Sequence, residues 1–205
     1  DRTGWELQGR TLAARQHAEL EDAAPAMTLD APVPVDKVED ENIRALLLGF
    51  ESIGDNCEFG MVQRRYGAEP LGLLRWNTVS AAGLTAALAG RFEGMGEPHT
   101  TKLIMSSNGE YYMEDRRWGL GMHTFMFESQ VDKEVLFSKM CKRVMYLKGK
   151  FLADLETAEK MHVFKSAEIR LDELRALHAQ MRLYGPTNLM CVRPENSEPL
   201  AAFLS

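Results

Sequence analysis

The sequence predicts an α/β or α+β fold: a mixed sheet flanked by helices, a small antiparallel insert, and an N-terminal helix on a Pro-rich linker. Three observations predict it. Met161–Phe164, a helical stretch with Leu171, Leu174, Leu177 and Met181 inward, and Leu189–Val192 follow one another at βαβ spacing, which implies parallel strands. Lys102–Met105, the turn Ser107-Asn108-Gly109, Glu110–Met113 and Leu120–Phe127 read as a small antiparallel sheet. Met140, Val144, Leu147, Phe151 and Leu155 recur at helical spacing within 131–156 and make one apolar stripe.

The remaining elements follow in order. Residues 5–23 read as a helix with a thin apolar face (Trp5, Leu7, Leu12, Ala13, Ala18, Leu20), and residues 24–40, with Pro25, Pro32 and Pro34, cannot continue it. The domain plan is therefore a helix at 1–24, a linker at 25–41 and one α/β domain at 42–205. Ile43–Phe50 contains the apolar run Ala45–Leu48, a buried strand or a short helix leading into one. Asp55, with Glu58 three residues on, suits a capping box opening a helix that stops at Gly67. A second helix spans about Val79–Phe92, with Leu84, Leu88 and Phe92 at helical spacing. Gly185-Pro186 ends the last helix.

The chain has 205 residues and 45% hydrophobic content, enough for one sizeable core. Net charge is −6 and no long basic run appears, which argues against nucleic acid and anionic membranes as partners. No apolar stretch approaches the ~20 residues that span a bilayer, and no signal peptide is visible. The three cysteines, Cys57, Cys141 and Cys191, are odd in number and widely spaced, so a reducing cytoplasmic setting is expected rather than a disulfide framework. Twelve methionines suit gap-filling in a core. No Cys-x-x-Cys, His-x-x-x-His or Gly-x-Gly-x-x-Gly occurs, so neither a metal nor a nucleotide cofactor is expected. The abrupt ends and thin first helix suggest a neighbouring domain in a longer chain.

Cys57 is the leading candidate for chemistry. It lies in the first turn of a helix-compatible stretch after the Ile53-Gly54-Asp55 break. Unpaired N–H groups and the helix dipole favour a thiolate there. Asp55 and Glu58 oppose that effect, and burial of a small residue between helix and sheet is the plainer reading. A nucleophilic thiol needs a proton-transfer partner. Of the five histidines, His17 lies in the N-terminal helix, His99 in a loop, His162 at the start of a strand and His178 on a helix as a partly exposed residue. His123 is the best match: it is mid-strand, after the Gly-rich approach Trp118-Gly119-Leu120-Gly121, where backbone can come close to a ligand. Asn77, Glu128 and Asp132 are suitable by type as a third member, and nothing in the spacing selects one. The N–H of Cys57, with Asn56 or Ser52, supplies an oxyanion site. Arg75 and Trp76 are candidate substrate contacts, and an inward Arg75 would offset Asp55 and lower the thiol pKa. Arg64, Arg65, Arg75, Arg116 and Arg117 gather into an anion site only if folding brings them together.

Ser52-Ile53-Gly54-x-x-Cys57, Arg64-Arg65, Leu74-Arg75-Trp76 and Met122-His123-Thr124-Phe125 resemble a bacterial family of uncharacterised domains labelled papain-like cysteine peptidase. The resemblance covers roughly residues 45–195. It implies Cys57 as nucleophile, His123 as base, and a peptide-like or small-molecule substrate. The family pattern has Phe-Asp-Trp where this chain has Leu74-Arg75-Trp76, so a cation replaces an acid.

Two other classes compete. One is a non-catalytic domain that binds a glycan, a nucleotide sugar or a protein within a larger bacterial assembly. The other is a group-transfer enzyme using the C-terminal βαβ region, for which Phe164-Lys165-Ser166 offers no phosphate fingerprint. Gly54-Asp55-Asn56 also faintly resembles the Gly-Asp-Ser block of lipase-like esterases, without the serine.

Overall fold

The computed structural model describes residues 37–194, which fall within the second of two units of the chain, Val35–Ser205. The expected first helix and most of the expected linker lie outside the described residues. Helix α1 spans Lys37–Leu48 and so begins inside the stretch expected to be linker. The apolar run Ala45–Leu48 is thus helix leading into a strand, with Leu47 buried and Leu46 and Leu48 exposed. The elements then run β1 (Phe50–Ser52), α2 (Glu58–Arg65), β2 (Asn77–Thr78), α3 (Ala81–Ala89), β3 (Thr101–Met105), β4 (Glu110–Asp115), β5 (Leu120–Phe127), α4 (Lys133–Thr157), β6 (Met161–Lys165), α5 (Leu171–Arg182) and β7 (Asn188–Val192).

The α/β class holds, and its strands divide between two sheets. One is parallel, in the order β1-β6-β7; the other is antiparallel, in the order β2-β5-β4-β3. The βαβ unit is β6-α5-β7, as the spacing requires. In the hairpin β3-β4, Asn108 Oδ1 accepts the Glu110 N–H at 2.9 Å and Gly109 takes φ 82°, the turn chemistry the Asn-Gly pair predicts.

Helix α4 carries its stripe inward: Met140, Val144, Leu147, Phe151 and Leu155 are all buried, together with Leu136 and Cys141. Asp132 caps it through the Val135 N–H at 3.0 Å. Each such buried aliphatic side chain contributes about 1.5–3 kcal/mol. Leu84 and Leu88 of α3 and Leu174, Leu177 and Met181 of α5 complete the same core, where α3 and α5 pack together. Leu171 is only half-buried. His178, expected to be partly exposed, is buried, with Nε2 3.3 Å from the Thr187 carbonyl.

The Asp55 cap does not form. Asp55 bridges Val79 instead, and Cys57 itself is the N-cap residue of α2. The turn before the helix is closed by Asn56, whose Oδ1 accepts the Glu58 N–H at 3.0 Å.

Candidate active site

The antiparallel sheet has a core face and an open face. On β5, Met122 points to the core and lies opposite Met113 and Asn77. Its neighbour His123 lies opposite Tyr112 on the other face, half-buried, and the two rings meet edge to face at 5.1 Å. Gly121 and Thr78 belong to that face too. A Cβ on Gly121 would sit 2.2 Å from Tyr112 Oη, so Gly121 is kept bare by the tyrosine ring. The Gly-rich approach thus admits a side chain of the protein itself. Burial pushes the Tyr112 hydroxyl up to about 12.

Beyond His123 the ladder breaks. Tyr112 pairs with His123, whereas Glu110 pairs with Phe127, so β5 bulges at 124–126. Phe125 takes φ 56°, an uncommon conformation for a bulky residue. The Thr124 hydroxyl donates to the Tyr111 carbonyl, and the Phe125 N–H donates to Glu110 Oε1 at 2.8 Å. The bulge therefore gathers donors around one carboxylate. His123 Nδ1 lies 3.3 Å from both Glu110 oxygens. Glu110 is 7% exposed. Burial pushes its carboxyl up, but His123 and the Phe125 N–H outweigh that and hold it below the usual carboxylate range. An ionised carboxylate only accepts, so Nδ1 carries a proton and Nε2 is the ring nitrogen left for proton transfer.

Cys57 approaches the same groups. It is half-buried at the α2 N-terminus and within electrostatic reach of Glu110, Tyr112 and Arg64. Among the described residues no hydrogen bond joins its sulfur to His123. Burial pushes the thiol up; its own backbone N–H and Arg64 pull it down, Glu58 and Glu110 add to the rise, and the net direction is up. The expected thiolate stabilisation at a helix start is therefore outweighed. Burial also raises the thiols of Cys141 and Cys191.

The sequence candidates scatter around this centre. Asn56 flanks Cys57 and uses only Oδ1, so its Nδ2 group makes no hydrogen bond among the described residues. Ser52 does not reach the site: it is 1% exposed and its Oγ is sealed inside without a hydrogen-bond partner among the described residues. Arg75 is not a substrate contact either. Its guanidinium is 2.6 Å from Glu69 and donates to the carbonyls of Gly60, Ala68 and Pro70, clamping the chain around α2. Trp76 stacks edge to face on Phe125 at 5.0 Å. Asn77 faces the core and donates to the Leu73 carbonyl, Glu128 is exposed, and Asp132 caps α4, so none of the three reaches His123; Glu110 takes that place. The five arginines do not converge. Arg64 and Arg75 meet at Glu69, Arg117 pairs with Glu93, and Arg65 and Arg116 face solvent.

Beside His123 opens a cleft of about 110 Å³, walled by Arg64, Trp76, Phe125, Met140, Arg143 and Leu147. Cys57 is not part of its lining. Among the described residues no group of three His, Cys, Asp or Glu side chains is placed to hold a metal ion, and no helix is long and apolar enough to cross a membrane. Comparison with family models, curated proteins and solved structures finds no match to this chain.

Proposed function

We propose that the chain is a thiol-dependent hydrolase or acyl-transfer enzyme of papain-like chemistry. One observation carries the reading: a buried, ionised carboxylate orients the imidazole of His123 on the sheet face that Cys57 approaches. With Glu110 on Nδ1, the His123 Nε2 lone pair takes the thiol proton as Sγ attacks a substrate carbonyl carbon. The carbonyl electron pair moves to oxygen, where the Asn56 amide and the Cys57 N–H are candidate donors. Collapse of that intermediate expels the leaving group, which takes the proton back from His123 and leaves a thioester. Water or another acceptor, deprotonated by His123, then releases the acyl group.

The raised thiol supports one kind of activation. Burial keeps the proton on the resting thiol, and that proton moves during attack, not before it. Glu110 stabilises the imidazolium that forms. The free cysteines fit a reducing cytoplasmic compartment. The test is release of 4-nitrophenol from 4-nitrophenyl acetate by the wild-type chain and by Cys57→Ala. Equal turnover by the two proteins rejects the reading.

A second reading is a non-catalytic binding domain within a larger bacterial protein. It is favoured by the raised thiol and by the unmade bond between Cys57 and His123. On that reading Cys57→Ala keeps function, and a cleft arginine variant loses it.

A further inference from the structure

The cleft beside His123 carries a charge opposite in sign to the net charge of the chain. Net charge is −6, yet the cleft is lined by Arg64, Arg143 and His123 and by no acidic side chain among the described residues. Arg143 rises from α4 on the exposed surface and makes no ion pair or hydrogen bond among the described residues. Arg64 donates to Glu69 through Nε alone, at 3.1 Å, and its two Nη groups make no hydrogen bond among the described residues. Glu69 is shared with Arg75, so its one negative charge faces two guanidinium groups. Positive charge is left over at the cleft wall.

The wall is also shaped. The Arg64 guanidinium carbon lies 4.1 Å from the Trp76 ring centre and 4.9 Å from that of Phe125. Stacking on two rings fixes the plane of the guanidinium, which suits the planar fork geometry of a carboxylate or phosphate. Phe125 is 39% exposed and is held at φ 56° by the bulge, which costs backbone energy and sets its ring beside His123 at 5.7 Å. Met140 and Leu147 add an apolar floor.

We propose that this cleft binds the anionic end of a small substrate, a carboxylate or phosphate carried next to a flat or apolar group. The inference names the substrate class of the site proposed above and so rests on that reading. Arg143 and Arg64 take the anion, while Trp76 and Phe125 take the adjoining ring.

The test is calorimetric titration of the whole chain with benzoate, phenyl phosphate, inorganic phosphate and benzylamine at low salt. None of these transfers an acyl group, so the result stands or falls apart from the thiol chemistry. The expected result is binding of benzoate or phenyl phosphate, at least about tenfold weaker binding of benzylamine, and about tenfold loss in Arg143→Ala with a larger loss in Arg143→Glu. The preferred anion tells carboxylate from phosphate. Arg143 is exposed, so its variants fold, and circular dichroism checks that they do. Failure of both aromatic anions to bind, equal binding of benzylamine, affinity unmoved by either Arg143 variant, or inorganic phosphate binding as tightly as phenyl phosphate overturns the proposal.

Discussion

His123 Nδ1 and the two oxygens of Glu110 form a symmetric pair, 3.3 Å to each oxygen, across a bulge that also turns the Phe125 N–H onto the same carboxylate. The pair sits where alternation along β5 fails, at the only place among its described residues where φ is positive. The irregularity of the strand and the orientation of the imidazole are therefore one feature.

Glu110→Gln follows from it. The amide oxygen can still accept a hydrogen bond, but it no longer stabilises an imidazolium, and aryl-ester turnover falls by at least about 10²-fold. The stability effect depends on pH. The Glu110 carboxyl is lowered in the fold, so its stabilisation is complete above the ordinary value of 4.5 and is lost as pH falls through the folded value. Thermal melts should separate wild type from Glu110→Gln at pH 7 and bring them together as the pH falls through the folded carboxyl value. A gap that is constant with pH contradicts this assignment.

His162 predicts an acid weakness of a different origin. It is 0% exposed, neither ring nitrogen makes a hydrogen bond among the described residues, and the Asn188 backbone lies near but outside hydrogen-bond geometry. Burial pushes its pKa from 6.5 down to about 4. Between those values the unfolded chain binds the proton and the fold does not, so stability is complete above pH 6.5 and declines toward pH 4. The loss amounts to about 3 kcal/mol at pH 4. Urea midpoints measured from pH 4 to 7 should slope upward in wild type and flatten in His162→Leu. An unchanged slope contradicts the prediction.

Arg75 and Arg64 both touch Glu69, but their worth differs. The Arg75 side chain is 4% exposed and satisfies three carbonyls, whereas that of Arg64 is 38% exposed. Arg75→Ala orphans buried carbonyls and should cost about 3 kcal/mol. Arg64→Ala should cost about 1 kcal/mol or less. Arg75→Lys should fail to restore stability, because a single ammonium cannot span the same carbonyls. Equal urea midpoints for the two alanine variants would show the clamp to be unimportant.

Much of the fold was legible in local signals. The α4 stripe, the Asn-Gly turn and the βαβ spacing each depend on residues close in sequence, and each element forms within a few residues of its expected place. The helix start at Cys57 was misread because Asp55 finds a long-range partner, Val79, that no local pattern reports. Arg75 looked like a functional cation because most of its partners besides Glu69 are backbone carbonyls, which a sequence does not display. Glu110 was missed although a signal existed. A register that sets Asp115 opposite Leu120 also sets Tyr112 opposite His123, and an unbroken ladder would bring Glu110 opposite Phe125 on the same face. The bulge could not be read, because its contacts, the Phe125 N–H on Glu110 Oε1 and the Thr124 hydroxyl on the Tyr111 carbonyl, join residues that no local pattern pairs.

The central claim is that His123, oriented by Glu110, makes Cys57 the reactive thiol of this chain. Its most direct test is the site of acetylation after brief exposure to 4-nitrophenyl acetate at neutral pH, read by mass spectrometry of peptides from wild type and His123→Ala. Burial raises all three thiols, so Cys141 and Cys191 serve as internal references. The account predicts acetyl on Cys57 well ahead of the other two, with that lead abolished in His123→Ala. Acetyl spread evenly over the three cysteines, or a lead for Cys57 that survives removal of His123, contradicts it.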